Sequence, residues 1–266
     1  MQPMLNIALR AARSASEQIQ RAQDRVSILR SEKSELAEFI QETTLTTEQS
    51  IVYTIQKAFP NHSLEGQFSG DHPPIGTKNE GLWYISAIDN LDNFSNGLPQ
   101  VAVCLAAVIK GKIEHALILN PVTGEEFTAS RGYGAVLNGR RIRVTDNRGL
   151  ENATVAAHFC DTSGNVDKLG SYLNMATKLH QSRGILLNSG SAALNFANTA
   201  AGKNDGSFAE DLQQSTVLSS ALLVQEAGGL VGDLAGGPDF KRSAQLVAGN
   251  SRVFKALVQA RRSSAA

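Results

Sequence analysis

Two carboxylates, Asp89 and Asp92, close the apolar run in "LWYISAIDNLDNF". Acids delivered together at a strand end suit a hard cation or a cation-bridged phosphate, because magnesium takes oxygen ligands and needs their negative charge. A blander reading stands beside this one. An Asp at a strand end also accepts backbone N–H bonds in a turn, which is the reading preferred here for Asp89. Asp92, three residues along an irregular segment, reads as a solvated or capping carboxylate. The stretch "GSAALNF" opens a helix whose free N–H groups offer an anion position at Gly190, Ser191 and Ala192, as every helix start does. Other chemistry is thinly supplied. His62, His72, His115, His158 and His180 show no paired spacing, and each reads as a surface or satisfied core histidine. No serine lies in a G-x-S-x-G context. Cys104 and Cys160 fall in no metal-ligand spacing and read as small, reduced core residues.

The elements that must position these groups follow from periodicity. Residues 4 to 24 carry Leu5, Ala8, Leu9 and Ala12 at helical intervals. The polar stretch "RSEKSELAEF" separates this helix from a second, expected from Thr46 to Ala58 and ended by Pro60. Then "LWYISAI", "VAVCLAAVIKG", "IEHALILNP", "EEFTASRG" and "GAVLNGRRIRV" read as an antiparallel meander. Its corners are expected at Gly111-Lys112, Thr123-Gly124 and Asn138-Gly139. From about residue 151 strands and helices alternate. "ATVAAHF", "GLVGDL" and "QLVAGN" are predicted strands. Val166 to Leu179, "GSAALNFANTAAG", "TVLSSALLVQEAGG" and a last helix capped by Asn250 are predicted helices. The chain therefore divides into 1–150, helices plus antiparallel sheet, and 151–266, an α/β half, as one continuous unit. The fold class is α/β, with an α+β first half.

Bulk composition narrows the classes. With 42% hydrophobic and 19% charged residues, the 266-residue chain is an ordinary globular sequence able to bury a large core. Twenty-five basic residues balance 25 acidic ones, so nothing points to nucleic acid or an anionic membrane. The longest apolar run, Val101 to Ile109, is too short to span a bilayer. "MQPMLNIALRAARSA" starts helical and lacks a basic stretch followed by an apolar block, so a cytoplasmic location is expected.

The element order and several long collinear strings resemble the inositol monophosphatase family of magnesium-dependent phosphatases, and its bacterial extragenic-suppressor branch in particular. The strings are "NPVTGEEFTASRGYGAVLNGRRIRV", "SGSAALNFANTAAGKNDGSF" and "LLVQEAGGLVGD", with "MLNIALRAAR" near the start. The resemblance implies a layered α-β-α-β-α sandwich, a homodimer and magnesium held by carboxylates from three places. At those places this chain departs from the pattern. Gln67 stands where the loop Glu belongs, and Ser86 at the first Asp of the D-P-[IL]-D-G-T-T strand end. Ile88 fills the [IL] position, and Asp89 is retained at the second Asp. Asn90, Leu91 and Asp92 stand at the Gly, the water-positioning Thr and the next Thr. Thr216 replaces the Asp of the late W-D segment, and Ala209 the substrate-contacting Glu. Upstream, "EFIQETT" leaves Glu38 and Thr44 where the family carries Asp.

A lone carboxylate holds magnesium weakly and mostly hydrated. The expectation is therefore a homologue with little or no activity and no magnesium, or only a weakly held ion, that keeps its scaffold for protein binding. The resemblance implies one such role, since bacterial relatives bind a transcription elongation factor and support ribosomal-RNA antitermination. In this chain the arginines of their "R-R-T-G-S-A-A-L" are replaced at Leu187 and Asn188. The alternative is a magnesium-dependent inositol-1-phosphate phosphatase with ligands relocated to Glu38, Glu65, Asp92, Glu210 or Asp211. A third reading is a sugar-phosphate sensor using the helix N-terminus alone.

Overall fold

The computed structural model describes residues 2–159 and 166–262. Two long helices, α1 (Pro3–Leu29) and α2 (Lys33–Ala58), form an antiparallel pair. Strands β1 (His62–Gly66), β2 (Gly70–His72) and β3 (Gly81–Ser86) follow, then a short helix α3 (Leu91–Ser95). Next come β4 (Val103–Ile109), β5 (Lys112–Asn120), β6 (Glu125–Ser130), β7 (Gly134–Leu137) and β8 (Arg140–Arg141). The second half runs β9 (Thr154–His158), α4 (Val166–Gln181), β10 (Ile185–Leu187), α5 (Ala192–Ala200) and β11 (Gly206–Ala209). It ends with α6 (Gln214–Glu226), β12 (Leu230–Gly232), α7 (Phe240–Ser243), β13 (Leu246–Gly249) and α8 (Ser251–Arg262).

The strands make two sheets, ordered β2-β1-β3-β4-β5-β6-β7-β8 and β10-β9-β11-β13-β12. Alternation along each strand sorts side chains onto opposite faces. In β4, Val103, Leu105 and Ala107 pack with Ile19 of α1 and Ile55 of α2, while Cys104 and Ala106 pack with α5 and α6. α6 is buried from Ser215 to Val224 because it lies between the sheets, with Leu246 and Ala248 of the second sheet on its other side. The outer face of that sheet (Val155, Phe208, Val247) is covered by Met175 of α4 and Leu257 of α8. The order of layers is α-β-α-β-α, the mixed α/β sandwich expected. No helix among the described residues is long and apolar enough to cross a membrane.

Several expectations need correction. α2 starts at Lys33, well before Thr46, because Leu36 and Ile40 continue its buried stripe beneath the charges of "RSEKSELAEF". The β4–β5 hairpin turns on Lys110 and Gly111, both at positive φ (49° and 76°), one residue earlier than expected. Strands β1, β2, β10 and β11 were not predicted; all are five residues or fewer, too short to show a period. The first sheet is also not wholly antiparallel, since β1 runs parallel to β3. The "irregular" segment after Asp89 is helical, with the Asn90 side chain capping α3 through the Asn93 N–H at 2.7 Å. Ser191 caps α5, its hydroxyl accepting the Leu194 N–H. Asn250 caps α8 as expected, accepting from the N–H groups of Arg252 and Val253. Cys160 lies outside the described residues.

Candidate functional site

The parallel β1–β3 pair carries Gln67 and Ser86 to the same end of the sheet, with Gly66 in register with Ile85. There the Ser86 hydroxyl donates to Gln67 Oε1 at 2.7 Å. Ser86 is fully buried, and Cys104 pairs with it from the neighbouring strand β4. Burial drives the Cys104 thiol well above its ordinary pKa, and Asp89 pushes the same way, while the hydroxyls of Thr216 and Ser219 on α6 hydrogen-bond it and oppose both. Three of the positions implied for metal ligands, Gln67, Ser86 and Thr216, thus present neutral groups hydrogen-bonded within the protein.

Asp89 is fastened differently. Its Oδ1 accepts the Ala102 N–H at 2.7 Å, and its own N–H donates to the Ala102 carbonyl at 3.0 Å. Oδ2 accepts the Ser191 hydroxyl, and the backbone of Ala193 adds a further hydrogen bond. Some of the residue's surface stays accessible, but protein atoms crowd the carboxylate. That desolvation lifts its pKa from 3.8 to about 6, although the Ser191, Ala102 and Ala193 donors pull the other way. Ser191 also accepts the Leu194 N–H at 3.1 Å, so one hydroxyl serves both the helix cap and the acid.

Neighbouring residues complete the junction. Asn90 Nδ2 donates to the Gly190 carbonyl, and Asn93 Nδ2 donates to the Ser189 carbonyl at 2.9 Å. Gly190 has φ +83°, and a Cβ there would lie 2.7 Å from Asn93 Nδ2, so this close approach admits only glycine. Ala192 is buried in the inner core, as is Ala209, which pairs with His158 on β9. Ile88 and Leu91 turn into the core beneath α1 and α2. His158 was not singled out by sequence and is not a satisfied core histidine. Its ring bonds the Gly190 backbone, yet Nδ1 is buried with no partner among the described residues. Burial, the larger influence, lowers its pKa. Only the β9–β11 register, invisible in sequence, reveals where it sits.

The relocated acids do not gather around Asp89. Glu38 and Asp92 are exposed. Glu65 sits on β1 opposite Asp71, and desolvation followed by that neighbouring charge raises its pKa. Glu210 pairs with Arg261 at 2.8 Å, and Asp211 is exposed at the end of β11. Among the described residues, no three His, Cys, Asp or Glu side chains are grouped to hold a metal ion. The donor set does not fit magnesium: neutral oxygens already bonded to each other replace the charge that would displace its water.

The sequence pattern of the inositol monophosphatase family matches residues 1–266. This chain belongs to that family. It is similar to the Nus factor SuhB of Pseudomonas aeruginosa, 42% identical over 97% of this chain and 95% of the relative. It is 36% identical to the Escherichia coli Nus factor SuhB over the same shares. The crystal structure of the extragenic suppressor protein suhB from Bartonella henselae superposes with a TM-score of 0.85 at 29% identity, covering 98% of this chain and all of that one. The inositol monophosphatase from Anabaena gives 0.83 at 26% identity, over 97% and 95% of the two chains.

Proposed function

We propose that this chain is a SuhB-like member of the inositol monophosphatase family that has given up magnesium-dependent hydrolysis and acts by binding protein. The observation that carries the reading is the Ser86–Gln67 hydrogen bond, which joins two would-be ligand positions directly. Two carboxylates at that separation would repel without a cation between them; a hydroxyl and an amide need none. The proposed partner is a bacterial transcription elongation factor in ribosomal-RNA antitermination, on the strength of relatives named Nus factor SuhB. The proposed setting is the cytoplasm. The proposed assembly is a homodimer in which 1–150 and 151–266 move as one unit.

The test pairs two assays on purified protein. Inositol 1-phosphate hydrolysis is followed with magnesium and with EDTA, and association with a reconstituted bacterial elongation complex is followed by mobility shift. We expect association without hydrolysis. Magnesium-dependent turnover abolished in Asp89→Asn, with no association, would restore the phosphatase reading.

A further inference from the structure

Asp89 lies in the loop after β3, and the hydroxyl it accepts comes from Ser191, 102 residues further along the chain. The start of a nine-residue helix, α5, has free N–H groups and the positive end of the helix dipole, a position suited to an anion. The position already holds one. The Asp89 carboxylate takes the capping hydroxyl and a hydrogen bond from the Ala193 backbone, as a small bound anion would. The contact does not stand alone. Asn90 and Asn93, on the same segment as Asp89, grip the carbonyls of Gly190 and Ser189.

We propose that Asp89 is a tethered anion filling the N-terminal position of α5, a clasp that joins the two halves of the molecule and closes that position to exogenous small anions. In this role it is a structural ligand of the helix, not a ligand of a metal. The inference rests on the proposed function, because a bound cation would compete for the same carboxylate. Two consequences follow. The fold keeps this junction without any divalent ion. The α5 N-terminus, which the sequence alone offers to a phosphate ester, is occupied from within.

The test is thermal melting at neutral pH of the full-length chain and Asp89→Ala, in EDTA, with chloride or with added formate. The substitution leaves the β-carbon and removes a carboxylate the size of formate. The variant should melt about 5–10 °C below wild type, because several donors lose their acceptor. Formate should recover part of that loss and leave the wild type unmoved. Asp89→Ala melting with the wild type, or falling without any recovery in formate, would overturn the clasp. If Asp89→Ala does not fold, Ser191→Ala removes one donor while keeping the carboxylate. It should melt about 2–5 °C lower, and an unchanged melting temperature would refute the clasp equally. Stabilisation of the wild type by magnesium would count against the proposed function instead, leaving the comparison in EDTA to judge the clasp.

Discussion

Ser86 and Gln67 hold one another through a single hydrogen bond, so their coupling is measurable. Ser86→Ala and Gln67→Ala, separately and together, should give a coupling of about 0.5–1.5 kcal/mol in urea unfolding; a value near zero would mean the pair is incidental. Asp89 makes a prediction with a definite sign. Its folded pKa, about 6, lies above the ordinary 3.8, so between those values the folded state holds the extra proton. Stability from this group is fully present below the lower value and lost as pH rises through the upper one. From pH 4 to pH 7 the wild type should therefore lose up to about 3 kcal/mol relative to Asp89→Asn, and a difference that stays flat or changes the other way would contradict it. His62 runs in the opposite sense. The only tryptophan, Trp83, donates to His62 Nδ1 at 3.0 Å, and burial holds that histidine below its ordinary 6.5 against the pull of Glu80. Its contribution is present above the ordinary range and fades as pH falls through the depressed value. Trp83 fluorescence should therefore step below pH 6.5 in the wild type and not in His62→Gln. At this scale the resemblance pointed to Gln67, Ser86, Asp89 and Thr216 as the positions to compare. It could not show that Ser86 reaches Gln67, that Ser191 serves Asp89, or that His158 has a buried nitrogen with no partner among the described residues. Those facts depend on strand register.

At the scale of elements, long periodic segments were legible and short ones were not. α6 shows through its length and closing glycines and α8 through its Asn250 cap, and the Asn138-Gly139 corner forms with both residues at positive φ. β1 spans five residues and pairs in parallel with β3, a contact that local sequence does not encode. The start of α2 was hidden by the charges on its outer face. That helix also anchors the hairpin carrying Gln67, since buried Glu48 accepts the N–H groups of Phe68 and Ser69 at 2.9 and 2.8 Å. Glu48→Ala should cost roughly 1–3 kcal/mol and speed hydrogen exchange at those two amides specifically. Uniform acceleration across the first sheet would instead show that Glu48 supports the whole layer.

Across the whole molecule, the five layers are held together by apolar packing. The cores on either side of the first sheet rest on Trp83, Leu105, Phe127 and Phe196, none of which needs a cation. On the proposed function, carboxylates replaced by Gln67, Ser86 and Thr216 would remove buried like charges and leave the layers joined through neutral hydrogen bonds and the Asp89 contact. The sequence conveyed this architecture through collinear strings that span nearly the entire chain, whereas the Ser86–Gln67 and Ser191–Asp89 contacts emerged only from side-chain geometry. On the proposed function, the site no longer binds magnesium. Calorimetric titration of the wild type with magnesium, beside a Gln67→Glu, Ser86→Asp, Thr216→Asp variant, tests it most directly. The account predicts no saturable heat from the wild type and new binding in the triple variant, where the missing charge is restored. Saturable binding by the wild type, abolished in Asp89→Asn, would contradict it.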